Sequence, residues 1–310
     1  MNRIIAIVGP TAVGKSALAI QLALTLGGEI VSADSRQVYR YMDIGTAKPS
    51  REDCAKVPHH LIDIINPDAD FTLATYQELA FEAIEDIQRR GKSVFLVGGS
   101  GLYVRAVTGG LSIPKVAPDP ELRRKLEERA AHEGYQVLYS ELRKADPSAA
   151  EKIDPRNIRR VIRALEVCLT AGVPFSQLKK SSPRVSAITL GLTTARDNLY
   201  SRIDSRVDQM IERGLVDEVK WLLDRGYSPE LPAMSGLGYK QIVAYLKGET
   251  SLDEAIQRTK YETHRFARSQ YAWFRPKDAH IHWFDINEEP LESIRDLITQ
   301  SANDIDSSKH

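Results

Sequence analysis

The octapeptide Gly9-Pro10-Thr11-Ala12-Val13-Gly14-Lys15-Ser16 fits the pattern G-x-x-x-x-G-K-[ST]. Its residue types answer the demands of a bound polyphosphate. Gly9 and Gly14 let the backbone turn its N–H groups inward, and a helix starting at the motif adds positive potential. Lys15 supplies a point charge, and the Ser16 hydroxyl can ligate Mg2+. The motif follows the apolar run Ile4–Val8 and opens the helical pattern Ser16–Leu26, the context in which such a loop usually holds the phosphates of ATP or GTP.

A nucleotide-hydrolysing site of this type adds a second Asp at the end of another strand. The later strand, SVFLVGGSG, ends in Gly98-Gly99-Ser100 and offers no carboxylate. The available acid follows the second strand, in IVSADSRQVY, at Asp34. Strand ends of a parallel sheet share one edge, so Asp34 is expected to face the phosphates; the alternative is an Asx turn or a helix N-cap.

Further cations recur at helical spacing. In LYSRIDSRVDQMIERG, Arg202, Arg206 and Arg213 fall along one face and Leu199, Ile203, Val207 and Met210 along another. The basic face is either a phosphate contact or a solvated stripe paired with Asp204 and Asp208. In RNIRRVIRALEV, Arg156, Arg159, Arg160 and Arg163 crowd one surface, again a solvated face unless a nucleic acid is at hand. His59 and His60 head a strand; adjacent strand residues point opposite ways, so they make poor metal co-ligands and a structural role is expected.

The elements that position these residues are legible in outline. Short β-branched runs mark strands at Ile4–Val8, Glu29–Ala33, His60–Ile64, Ser93–Val97, Ile188–Leu192 and His280–Phe284. Helical patterns at Ser16–Leu26 and Thr72–Arg90 alternate with the early ones, which implies a parallel sheet covered on both faces. From Ile113 a proline-containing linker leads into helices that run to about Ser182, read as a helical insertion over 114–184. The remainder, 1–113 and 185–310, forms an α/β core with helices at Asp197–Arg213, Val216–Arg225 and Leu252–Phe274. The tail SANDIDSSKH is expected to fray.

Composition excludes several classes. A 42% hydrophobic, 27% charged chain of 310 residues is that of a globular protein with a full core. No apolar run approaches the ~18 residues of a membrane span or reads as a signal peptide, so a cytoplasmic protein without membrane partners is expected. Two cysteines, Cys54 and Cys168, permit neither a disulfide framework nor a four-cysteine zinc site. The charges balance at 42 each, yet Arg156 to Arg184, with Lys179 and Lys180, holds seven basic residues against the single acid Glu166. The stretch Arg258 to Lys277 is basic as well, and Asp285 to Asp306 is acidic.

GPTAVGKS, SADSRQVYRYMDIGTAKP, HHLIDI, LVGGSGLYVRAV, RRVIRALEV and SGLGYKQI together resemble the tRNA dimethylallyltransferases, also called tRNA isopentenyltransferases, over residues 4 to 275. The resemblance implies a P-loop NTPase-like parallel sheet core with a helical insertion that contacts tRNA. It also implies transfer of a dimethylallyl group from its diphosphate to N6 of adenosine 37 beside the anticodon, with Mg2+ on Ser16; a monomer is expected. The loop Gly9 to Ser16, with Arg206, would then hold an isoprenoid diphosphate, and Asp34 would accept the proton of a weakly nucleophilic amine. A base inside a stacked loop must be flipped out to react. The resemblance places Asp34, Ser35, Arg36, Gln37 and Ser100 beside it, although DSRQ by itself could be a capped turn. It assigns Arg123, Arg159, Arg160 and Arg163 to the RNA backbone. Gly238, Tyr239 and Lys240 of MSGLGYKQI are assigned to the tRNA too, where the residues alone allow a mere connection between helices. No C-terminal zinc-finger pattern is present. The competing readings are an adenylate isopentenyltransferase, a small-molecule kinase using ATP, and a nucleic-acid-binding module with a degenerate nucleotide site.

Overall fold

A computed structural model describes residues 3–109, 111, 113, 116, 118–177 and 184–307. The chain divides into two compact units, Met1–Gly109 with Pro183–His310, and Gly110–Ser182.

The first unit is built on six parallel strands in the order β3-β2-β4-β1-β5-β6. They are β1 (Ile4–Val8), β2 (Gly28–Ser32), β3 (His59–His60), β4 (Ser93–Val97), β5 (Ala187–Thr193) and β6 (Ile281–Asp285). The strands are short and almost wholly apolar because both faces are covered. Ile5 and Ile7 of the central β1 face Leu18 and Leu22 of α1 (Lys15–Leu26), while Ile4, Ala6 and Val8 face Tyr76 and Ile84 of α3 (Leu73–Arg89) and Val104 of α4 (Gly101–Thr108). Between the faces, α2 (Arg51–Lys56) starts in a Ser50/Asp53 capping box. The third strand is shorter than its apolar pattern because Leu61 (φ 63°) and Asp63 (φ 54°) leave extended geometry. His59 bonds the Val57 carbonyl and His60 bonds Glu29, so both histidines are structural.

Helices α9 (Arg196–Glu212), α10 (Leu215–Asp224), α11 (Tyr239–Leu246) and α12 (Leu252–Trp273) complete the wall beyond β5. A further cluster of Val38, Met42, Leu215, Val219, Met234 and Tyr239 joins the loop after β2 to α10 and α11. The acidic stretch near the end of the chain is a helix, α13 (Leu291–Ser307), in which Leu291, Ile294, Leu297 and Ile298 recur on one face and pack on the core; it continues into the tail expected to fray, whose residues 308–310 lie outside the described residues.

The second unit consists of α5 (Pro120–Glu133), α6 (Tyr135–Ala145), α7 (Pro147–Ala150) and α8 (Ile158–Ala171) around Leu126, Leu138, Leu142, Val161, Ile162 and Leu165. Among the described residues, no helix is long and apolar enough to cross a membrane. Pro114, Lys179 and Lys180 lie outside the described residues.

Candidate active site

All six strands point their carboxyl ends to one edge, and the first unit places its chemistry there. The loop from Gly9 to Ser16 leaves β1 and enters α1. Gly9 has φ 139°, and a Cβ there would stand 2.4 Å from the Leu192 carbonyl oxygen, so only glycine fits between the loop and β5. Ala12 takes a left-handed φ of 63°. Lys15 Nζ donates to the carbonyls of Gly9 (3.0 Å) and Pro10 (2.7 Å). Burial lowers the Lys15 pKa to about 7; Arg206 pushes the same way and Asp34 opposes both. Burial also lowers Arg206, with Asp34 opposing and Arg213 adding to the effect. Lys15, Arg206 and Asp34 are therefore one electrostatic unit, and Asp34 and Arg206 line a cleft of about 290 Å3.

The wall of that cleft divides by chemistry. Thr11, Asp34, Ser100 and Arg206 are among its polar groups, and Ile203, Val207 and Met210 of α9 with Phe266 of α12 form an apolar side. Arg206 thus stands on the helix face that carries the apolar wall. Arg202 lies elsewhere, donating to the Val13 carbonyl (3.5 Å) and Asn287 Oδ1 (3.1 Å) on the outer side of the loop. The acids thought to neutralise this helix turn toward α12: Asp208 pairs with Lys260, and Asp204 Oδ1 lies 2.8 Å from His264 Nε2.

Asp34 follows β2 and does two things at once. Its Oδ1 accepts from the Arg36 amide (2.8 Å), which makes the Asx turn, while its carboxylate faces Lys15 and Arg206. Ser35 N donates to Ser100 Oγ (3.1 Å), so the turns after β2 and β4 meet. The other residues of DSRQ are spent internally. Arg36 borders the cleft, but its guanidinium donates to the Pro232 carbonyl (2.6 Å) and Ser235 Oγ (3.1 Å). Gln37 accepts from Ser32 Oγ (3.1 Å) and donates to the Thr46 and Ala47 carbonyls.

Several residues that the resemblance assigns to tRNA also make contacts within the fold. Tyr239 is 1% exposed and its hydroxyl donates to Glu218 Oε1 (2.7 Å). Burial raises its pKa well above the ordinary value, with Glu218 adding to the effect. Gly238 (φ 91°) starts α11 and donates to Gln241 Oε1, and Lys240 pairs with Glu262 (2.5 Å). Ser235, Gly236 and Leu237 border the cleft together with Tyr239. In the second unit, Arg123 grips both oxygens of Glu166, and Arg163 bonds Glu166 and the Val116 carbonyl. Glu166 has no exposed surface, so these arginines neutralise a buried acid, and with 37% and 27% of their side chains exposed Arg123 and Arg163 also reach the surface. Arg159 and Arg160 remain exposed on α8.

Two long-range contributors, Glu218 and Gln270, escaped sequence reasoning. Glu218 accepts from the successive amides of Asp43 (2.9 Å), Ile44 (2.8 Å) and Gly45 (3.1 Å), fixing the stretch MDIGTAKP. Gly45 and Thr46 of that stretch border the cleft. Gln270 ties two loops of the site together. Each joins positions far apart in the chain, and no local spacing announces such a contact.

The fold and this edge define a P-loop α/β protein whose phosphate loop faces a carboxylate and an apolar wall. Residues 37–277 match the family model described as IPP transferase, and the chain belongs to that family. A tRNA dimethylallyltransferase of Thermomicrobium roseum is 51% identical over 303 residues, 97% of this chain and 92% of the relative. One from a Roseiflexus species is 56% identical over 276 residues, 89% of this chain and 90% of the relative. The crystal structure of the tRNA isopentenylpyrophosphate transferase of Bacillus halodurans superposes with TM-score 0.74 at 43% identity, covering 100% of both chains.

Proposed function

We propose that this cleft transfers a dimethylallyl group from dimethylallyl diphosphate to N6 of adenosine 37 in tRNA, leaving diphosphate. The observation that carries the reading is the convergence of Asp34 and Arg206 on one cleft with an apolar wall, with Lys15 of the phosphate loop coupled electrostatically to both. The relatives named for tRNA prenylation support it. The bond from the allylic carbon to the diphosphate oxygen breaks, and that oxygen keeps the electron pair. A bond from N6 to the same carbon forms, and the N6 proton passes to Asp34. The cations lie where negative charge grows on the leaving group, and the carboxylate lies where positive charge grows on nitrogen.

Ser16 stands exposed at the start of α1, and no cluster of three or more His, Cys, Asp or Glu among the described residues could hold a metal. That donor set suits Mg2+, which takes few protein ligands and completes its shell with water and phosphate oxygens. Ser16 and the diphosphate would hold it, and when bound it supplies further neutralisation of the leaving group.

Incubation with tRNA, dimethylallyl diphosphate and Mg2+, followed by mass spectrometry of the nucleosides, tests the reading. Isopentenyladenosine at one anticodon-loop position is the expected product. Label on free AMP, or phosphate transferred from ATP, would overturn it.

A further inference from the structure

Gln270 lies in the last turns of α12, 3% exposed, with both ends of its carboxamide engaged. Its Oε1 accepts from the Thr11 amide of the phosphate loop (2.8 Å), and its Nε2 donates to the Gly99 carbonyl after β4 (3.0 Å). A backbone N–H can only donate and a carbonyl can only accept, so the amide has one possible orientation. The fit is close: a Cβ at Gly99 would stand 2.1 Å from Nε2. Beyond Gly99 the chain of contacts continues through Ser100, whose amide donates to the Ala33 carbonyl (3.3 Å) and whose Oγ accepts from the Ser35 amide (3.1 Å). Asp34 sits between those last two residues.

We propose that Gln270 is a positioning residue that fixes the distance between the diphosphate end of the cleft and Asp34, an inference that rests on the transfer reaction above. The phosphate loop sets where the leaving group departs, and the β2 and β4 turns set where the base waits. Gln270 is the bridge between the two through a single rigid amide. Misplacing reacting groups by about 1 Å costs on the order of 10²-fold in rate. Binding of either substrate alone uses only one side of the bridge.

The test compares wild type, Gln270→Leu and Gln270→Glu in steady-state transfer over a pH series, with thermal unfolding of each. Gln270→Leu should lower kcat on the order of 10²-fold while KM for tRNA and for dimethylallyl diphosphate stays within a few-fold. Gln270→Glu keeps the acceptor for Thr11 but can donate to Gly99 only when its carboxyl holds a proton. Its rate relative to wild type should therefore rise as pH falls, whereas the relative rate of Gln270→Leu stays flat. Lys15 of the phosphate loop, Asp34 and Arg36 after β2, Tyr76 of α3, Tyr103 of α4 and Arg206 of α9 are electrostatically interacting ionisable groups of this region; all are present in every variant, and the flat ratio of Gln270→Leu separates their titration from that of the introduced carboxyl. A wild-type kcat in Gln270→Leu, or a ratio for Gln270→Glu that does not change with pH, would overturn the proposal. If Gln270→Leu fails to fold, the pH ratio of Gln270→Glu decides. An inactive wild type would instead strike at the transfer reaction itself.

Discussion

Arg123 donates to both carboxylate oxygens of Glu166, at 2.8 Å each, and Glu166 has no surface exposed to solvent. Burial alone would raise the Glu166 pKa, but the hydrogen bonds from Arg123 and Arg163 outweigh it and the net shift is downward. A depressed carboxylate contributes stability above its unfolded pKa and loses it as pH falls through the folded value. Arg123→Ala should therefore destabilise the helical unit on the order of 2–3 kcal/mol. This is below the ~3–5 of a fully buried pair, because Arg123 reaches the surface and Arg163 remains. Thermal unfolding at neutral and acid pH reads this: the gap between variant and wild type should close as the solution is acidified.

Arg159 and Arg160 carry a different expectation. They stand exposed on α8, so replacing both by alanine should leave unfolding unchanged and weaken tRNA binding. Each lost phosphate contact should flatten the slope of log affinity against log salt by roughly 0.7 to 1. Parallel lines of equal height for variant and wild type would make this surface a solvated face only.

Lys15 gives the site a pH dependence of its own. With a pKa of about 7, much of its amine is neutral above pH 7, and a bound diphosphate favours the charged form. Binding of an alkyl diphosphate, whose last ionisation lies near about 6, should therefore take up a proton and weaken as pH rises above 7, approaching tenfold per unit. The linkage to folding has the opposite trend. The unfolded chain binds the extra proton between about 7 and the ordinary 10.5, so the ligand-free protein gains stability as pH rises through that window. Calorimetric titrations in buffers of different ionisation enthalpy measure the uptake, and Lys15→Ala should abolish it.

Tyr239 and Gly45 test the division between scaffold and site. A Cβ at Gly45 would stand 2.4 Å from the Tyr239 ring, so Gly45→Ala should cost about 1–3 kcal/mol by overpacking and disturb the cleft wall. Tyr239→Phe removes the hydroxyl that bonds Glu218 and the Gly45 backbone, about 0.5–1.5 kcal/mol per bond, and should leave the salt dependence of tRNA binding untouched. A flattened salt slope in Tyr239→Phe would return this residue to the RNA interface.

The sequence carried the parts of this site that depend on short-range pattern. The strand, loop and helix around Lys15 are contiguous, and the run before Asp34 reads as a buried strand, so their meeting at one sheet edge follows from parallel topology. Arg206 was separable from Arg202 by resemblance alone, since both lie on the same helix at similar spacing. Charge density alone does not separate these arginines: Arg163 sits near Arg159 and Arg160 in sequence, yet it pairs with a buried acid on its own helix. Gln37, Tyr239 and Gln270 likewise owe their roles to partners many residues away, and α13 was hidden because its acids mask an apolar face.

Asp34 is the centre of the account, and Asp34→Asn tests it with least disturbance. The amide can still accept from the Arg36 N–H, so the turn is kept while the proton acceptor is lost. The decisive measurement is single-turnover formation of isopentenyladenosine by wild type and Asp34→Asn, alongside affinity for tRNA and for dimethylallyl diphosphate. The account predicts a rate lower by about 10²–10⁴-fold with both affinities nearly unchanged. Turnover near wild type in Asp34→Asn, with the same pH profile, would contradict it.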